Sequence, residues 1–295
     1  MIVYFPEVYP DELLYSVLAR FYAKSGYLSY MFITQEIYKR RLQKPSIEFI
    51  NQLNSEILRI LTKDMTMEQL IEKHTMFPYY GRFMKADRRQ KMFERLIKMD
   101  TDNSSNMGLP RNKNRLDRYI RYCPLCAKED RELYGETYWH RTHQILGLSV
   151  CPKHKCLLKQ SGIIMNRNNT TVLLAAESSG VDENNIVMSQ SNFENNFSEY
   201  LAAVFQQDVN MSENTDVGLI MQKRIEKSKY MMPNGVNKNI MLMYSDFLKW
   251  YQREESVFSE SWQIGKILTN DRSNFDTICA LAMFLGIPAS DLAKL

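Results

Sequence analysis

Cys123-Pro124-Leu125-Cys126 and Cys151-Pro152-Lys153-His154 each set two metal-binding side chains two residues apart, with 24 residues between the pairs. Thiolate sulfur and imidazole nitrogen are the donors a tetrahedral zinc ion takes, and a pair at this spacing reaches one ion from a single tight turn. Four such donors close the coordination shell. No position is left for an activated water, so Zn2+ at Cys123, Cys126, Cys151 and His154 is expected to be structural. Cys156 competes for the fourth place, but its lysine neighbour and five-residue step from Cys151 make it the poorer partner, expected as a packed thiol. His140 and His143 form a second tier: a His pair three apart can bind metal, yet more often ties a loop to backbone carbonyls. His143 is the better placed of the two to support the knuckles. Cys279 sits in an apolar stretch and reads as core.

These donors need elements to position them. A chain of 295 residues with 44% apolar content can bury two sizeable cores. No apolar run approaches the ~20 residues that cross a bilayer, and the first residues lack a signal peptide's basic and apolar regions. Four of the five cysteines fall in residues 123–156, which fits metal binding in a reducing compartment better than a disulfide framework. A cytoplasmic protein with no membrane partner is expected. The net charge of +4 hides an asymmetry: from Arg82 to Arg121 twelve Lys/Arg face five acids. This block is a possible footprint for phosphates. Arg88, Arg89, Lys113, Arg115, Arg118, Arg121 and, further on, Arg141 are the expected DNA-binding residues; a solvated helix face is the plainer reading.

The pattern is mainly helical. Pro10-Asp11-Glu12 reads as a first helical turn, followed by Leu13, Leu14, Val17, Leu18 and Phe21 at helical spacing, with Gly26 as the stop. Further helices are expected at Ser29–Arg41, at Ser46–Leu61, from a Thr66/Gln69 capping box to just before Phe77-Pro78, and at Lys85–Met99. Residues 101–114 read as a mobile connector and 119–160 as the zinc region. A strand is expected at Thr171–Leu174. Helical periodicity resumes beyond Ser198, notably at Ile240–Tyr251 and Phe275–Leu285. Gly286-Ile287-Pro288 then turns the chain, with Ser290-Asp291 capping a helix that starts at Leu292. Helix, glycine turn, helix is the pattern of a helix-turn-helix unit. It is also common in ordinary bundles.

Three blocks carry a specific resemblance. Arg121-Tyr122-Cys123-Pro124-x-Cys126, Tyr134-Gly135-Glu136-x-Tyr138-Trp139-His140-Arg141-x-His143-Gln144 and Val150-Cys151-Pro152-x-His154 together resemble the TniQ family of transposon-encoded target-site selectors. The start, from Pro10 to Arg20, is similar to that family's opening helix. His74-Thr75-x-Phe77-Pro78-Tyr79-Tyr80 resembles a block of its TnsD-like branch, and Ser261-Trp262 with Lys266-Ile267-Leu268 and Phe275–Gly286 fits it loosely. Near Phe275 the branch's histidine-bearing pattern is replaced by Asp276 and Cys279.

The resemblance implies a helical N-terminal TniQ domain with a zinc-finger module over 1–160 (module 119–160), an irregular linker over 161–195, and a helical TnsD-like domain over 196–295, truncated at a helix-turn-helix. It implies a non-enzymatic selector that binds double-stranded DNA at an attachment site. Such a protein recruits the transposon's AAA+ ATPase regulator, and through it the transposase, in a bacterial, nucleoid-associated setting. The alternative it leaves open is an adaptor that couples a CRISPR effector complex to transposition. Catalytic motifs point nowhere: there is no Gly-x-x-x-x-Gly-Lys phosphate loop, no Gly-x-Ser-x-Gly elbow and no His-Glu-x-x-His helix.

Overall fold

The computed structural model describes residues 2, 4–38, 43–100, 118–165, 172–212, 216–269 and 274–293. The first part holds six helices: α1 Leu14–Lys24, α2 Tyr30–Ile37, α3 Ser55–Leu61, α4 Met67–His74, α5 Phe77–Gly81 and α6 Ala86–Ile97. A two-stranded antiparallel sheet of β1 Tyr119–Tyr122 and β2 Lys159–Ile164 brackets α7 Pro124–Tyr134. The remainder is again helical, with α8 Asn192–Gln206, α9 Val217–Glu226, α10 Ile240–Trp250, α11 Trp262–Leu268, α12 Phe275–Phe284 and α13 Ala289–Ala293. The mainly α class is therefore as expected. Among the described residues no helix is long and apolar enough to cross a membrane.

Local chemistry explains most boundaries. The Thr66/Gln69 capping box forms, each side chain satisfying the other residue's backbone N–H. Pro78, expected to lie past a helix end, instead opens α5, where its missing N–H costs nothing. The helix expected over 46–61 is shortened to α3. Asn51 takes the Ser46 N–H at 2.6 Å and Asn54 caps Glu56, so both amide side chains compete with helical hydrogen bonding upstream. α2 stops at Ile37 because Tyr38 turns extended and bridges Leu53. The C-terminal helix begins at Ala289, not Leu292, with Pro288 O accepting from the Leu292 N–H. Before it, Gly286 adopts φ +67°, and the bonds Ile287 N to Ala282 O and Gly286 N to Met283 O end α12 in a Schellman turn.

Pro10-Asp11-Glu12 is not a helical turn. Asp11 is left-handed at φ 55°, and the segment pairs with residues 139–141: Leu13 N donates to Trp139 O at 3.0 Å and Arg141 N to Asp11 O at 2.7 Å. The strand expected at 171–174 is also absent from its described residues 172–174. Side chains satisfy that backbone instead, with Tyr15 Oη between Val172 O and Leu174 N, and the Trp139 indole N–H on Leu174 O at 2.9 Å.

One connected set of buried apolar side chains runs from Leu13 to Leu292. Trp139 is fully buried within it, which makes it a packing residue. Helix α8 lies at its centre: Phe193, Phe197, Leu201, Val204 and Phe205 face inward, and the helix touches α5, α12 and α13. The segment expected as a linker carries β2 and a 3-10 turn at Glu177–Ser179 that packs on it. The 101–114 connector lies outside the described residues.

Candidate metal centre

Strand β1 delivers Cys123 to the start of α7, where the cysteine occupies the helix N-cap and Pro124 the first turn. Its Sγ accepts the Cys126 N–H at 3.3 Å, a sulfur held against the positive end of a helix. The second knuckle repeats the geometry: His154 N donates to Cys151 Sγ at 3.5 Å, Lys155 N to Cys151 O at 2.9 Å. Lys155 is left-handed at φ 56°, and Cys151 N closes the turn on Cys156 O at 2.8 Å. Each ligand pair is thus prepared by its own backbone.

The two knuckles converge. His154 Nδ1 lies 3.4, 3.3 and 3.7 Å from the sulfurs of Cys123, Cys126 and Cys151, and Cys126 Sγ is 3.8 Å from Cys151 Sγ. All four donor atoms lie within 4.8 Å of one another. Ligands ~2.3 Å (S) and ~2.0 Å (N) from one tetrahedral ion would stand roughly 3.5–3.8 Å apart, so the donor set fits a metal ion of zinc's size. The three cysteines are buried and no sulfur is bridged to another. Hydrogen bonds from Cys123 and Cys126 hold the Cys151 thiol below its ordinary range, while contacts with Cys126, Cys151 and Cys156 push Cys123 up. Three sulfurs this close cannot all ionise without a cation between them.

Around the donors, α7 supplies support that the sequence did not reveal. Glu129 Oε1 sits 3.0 Å from His154 Nε2, orienting the ring so that Nδ1 faces the sulfurs. Its own carboxyl is held below the ordinary range, first by Lys153 and then by His154. Only the one-turn spacing of Glu129 from Cys126 on a helix could have signalled it, and that helix was not anticipated. His143 is buried in the 3-10 turn Thr142–Gln144, with Nε2 3.7 Å from Cys126 Sγ and 3.9 Å from Cys151 Sγ. Burial pushes its pKa down, so the ring is neutral, and Nδ1 has no partner among the described residues. His140 turns away towards Asp130, with Nε2 to Oδ2 at 2.9 Å, and its ring lies against that of His143. Among the described residues neither meets a backbone carbonyl through the ring. His74 does, binding Glu12 O at 2.8 Å.

The expected DNA-binding residues scatter. Arg89 is fully buried and donates to Met84 O at 3.1 Å. Arg118 pairs with Glu48 at 3.1 Å and Tyr80 Oη at 3.3 Å; Arg121 donates to the carbonyls of Ile145 and Leu148. Arg141, 5% exposed, binds Asp11 at 3.3 Å and the carbonyls of Glu72 and Thr75, and lies over the Phe205 ring. These four guanidinium groups hold the fold together. Arg88 stands half-exposed on α6, as Arg118 and Arg121 do within their own contacts, while Lys113 and Arg115 lie outside the described residues. Lys85, Lys91 and Lys98 are exposed on and beside the same helix.

The opening helix is tied to the knuckle-bearing region by charge as well as by backbone. Arg20, 2% exposed, donates to Glu12 and to Glu136, each at 2.9 Å, and Lys24 reaches Glu136 at 2.5 Å. Burial pushes the Glu12 carboxyl up to about 7, against the pull of Arg20. Residues 10–20 and 134–144, which carry the family-like blocks, are therefore one assembly in space.

The family model named TniQ matches residues 3–158, a stretch that takes in this assembly and all four donors. A curated relative, the transposon Tn7 transposition protein TnsD of Escherichia coli, is 32% identical over 158 residues. That match covers 52% of this chain and 31% of the relative, so less than a third of the longer protein is represented. With more than half of its length matched by the family model, and the knuckle cysteines brought to one point, the chain belongs to the TniQ family.

Proposed function

We propose that this chain takes part in DNA transposition as a target-site selector: it binds an attachment site in double-stranded DNA and recruits an AAA+ ATPase regulator, and through it the transposase. The observation that carries the reading is the likeness to the Tn7 protein over 52% of this chain, together with the family match over residues 3–158 that takes in both knuckles. The centre's chemistry agrees with a non-catalytic role. Cys123, Cys126, Cys151 and His154 would hold one Zn2+ with every coordination position filled by protein, and the bound ion would supply cross-linking strength. Glu129 orients His154, and His143 places its Nε2 edge against the sulfurs of Cys126 and Cys151.

Phosphate contact would fall to the solvent-facing side of α6 and its flanks, where Lys85, Arg88, Lys91 and Lys98 stand. The reading predicts affinity that falls steeply with salt, each lost phosphate contact lowering the slope by about one. One observation favours the second reading, an adaptor steered by a CRISPR effector complex. The described part of the second helix of the helix-turn-helix pattern, Ala289–Ala293, carries no Lys or Arg and exposes Ser290 and Asp291. Base-edge readers of that kind usually present such donors.

Selection from a random duplex pool, with competitor DNA at physiological salt, decides between them. An enriched motif supports the selector. Salt-sensitive binding without enrichment, together with capture of a CRISPR effector complex, supports the adaptor. No DNA binding and no association with an AAA+ ATPase of the same element would overturn both.

A further inference from the structure

Cys156 was expected to be an ordinary packed thiol, and its surroundings are not those of one. It is fully buried, and the group it belongs to is made of the sulfurs of Cys123, Cys126 and Cys151, with Leu125 and Leu158 packed outside. Its Sγ lies 3.3 Å from Cys123 Sγ, as close as the assigned ligand atoms lie to one another. The backbone that carries it is held on both sides. Cys156 O accepts from Cys151 N at 2.8 Å, while Leu157 N to Val187 O and Ser189 N to Lys155 O, each 2.8 Å, pin the outer edge. The left-handed Lys155 is what folds the chain back so that His154 and Cys156, two residues apart, both approach the sulfur cluster. In extended backbone they would point to the same side but about 7 Å apart.

We propose that Cys156 is a reserve ligand of this metal centre, which takes the fourth coordination position when His154 is released or lost. The inference rests on the assignment of Cys123, Cys126, Cys151 and His154 as the resident set. In the exchange the bond from the metal to His154 Nδ1 breaks and a bond to Cys156 Sγ forms. The thiol proton passes to the buffer, because only the thiolate coordinates, and no electrons are transferred. A rotation about χ1 between staggered wells moves the sulfur without moving the pinned backbone. The four-sulfur form carries one more negative charge and suits softer thiophilic ions. A centre with such a reserve loses its metal only after two ligands have gone.

Cobalt(II) substitution reads the ligand set directly, since thiolate-to-cobalt charge-transfer bands grow and the ligand-field bands shift as sulfur replaces nitrogen. The full chain and its His154→Ala, Cys156→Ser and doubly substituted forms would be loaded with Co(II), and zinc content measured in parallel. Expected are a three-sulfur, one-nitrogen spectrum for the parent and for Cys156→Ser, a four-sulfur spectrum with one metal per chain for His154→Ala, and no tight metal for the double variant. Loss of metal from His154→Ala alone, with the parent still loaded, overturns the reserve while leaving the zinc reading intact. A changed spectrum in Cys156→Ser overturns it too, because Cys156 would then be a resident ligand. A parent that binds no metal removes the ground of both. Should His154→Ala fail to fold, zinc transfer to a chromogenic chelator still decides. Cys156→Ser should release zinc about tenfold faster than the parent, in line with supporting residues of other metal sites, and an unchanged rate counts against the reserve.

Discussion

Glu129 Oε1 lies 3.0 Å from His154 Nε2, so the imidazole of the candidate metal cluster is aimed by a carboxylate one helical turn beyond Cys126. Glu129→Gln should keep one zinc per chain but bind it about ten to a hundred times more weakly, since the ring loses both orientation and basicity. Competition with a chelator of known affinity measures this. Unaltered affinity would mean that the knuckle backbone alone orients the imidazole.

Removal of a sulfur should be more drastic. In Cys126→Ala the zinc content should fall towards zero, and residues 119–160 should lose protection from hydrogen exchange. Binding worth ~10 kcal/mol or more at such knuckles is folding free energy. A Cys126→Ala protein that keeps its metal and its melting temperature would sink the structural assignment.

Trp139 is fully buried and bonded at both ends, its backbone N–H to Ser16 Oγ at 3.0 Å and its indole N–H to Leu174 O at 2.9 Å. Trp139→Ala is expected to cost about 3–5 kcal/mol, read as a shift in the urea midpoint. A loss of DNA binding with no loss of stability would instead make the ring a contact residue.

Arg82 reaches across 211 residues, donating to Ala293 O at 2.8 Å as well as to Asp208 O at 3.1 Å and to Gln207 O. Its replacement by alanine leaves the buried Ala293 carbonyl and the two more open ones without their donor and should cost about 1–3 kcal/mol. Faster hydrogen exchange in α13 and at the end of α8 should accompany it. If exchange there is unchanged, α13 is held by its apolar contacts alone.

Glu136 supplies the pH dependence. Burial works to raise its carboxyl, but the bonds from Lys24 and Arg20 outweigh that, so its folded pKa is depressed. A depressed acid stabilises the fold above its unfolded value of ~4.3 and loses that contribution as pH falls through the folded value. Stability of the parent should therefore drop more steeply below about pH 4.5 than that of Glu136→Gln, in urea titrations at matched ionic strength. Parallel curves would show that the Arg20 contact carries no net ionic energy.

The cluster of Cys123, Cys126, Cys151 and His154 that could hold a metal ion was legible because each of its pairs is local. Two donors two residues apart, each pair with a proline between them, meet on one turn whatever the rest of the chain does, and the Thr66/Gln69 capping box was readable for the same reason. The apolar spacing of Leu14, Val17, Leu18 and Phe21 likewise announced α1, because helical period is a property of the segment itself. What a charged residue faces is not such a property. Arg118, Arg121 and Arg141 belong to a basic run or lie near its end in sequence, yet Glu48, the carbonyls of Ile145 and Leu148, and Asp11 had already claimed them in space. The same holds for Pro10-Asp11-Glu12, whose helix-starting composition was overridden by pairing with residues 139–141, and for Cys156, drawn to Cys123 by a left-handed lysine. Residue type and short spacing marked the candidate donors and determined the helical class. The tertiary structure alone decided which cations remain at the surface, because burial of a guanidinium depends on carbonyls and carboxylates brought up from tens to hundreds of residues away.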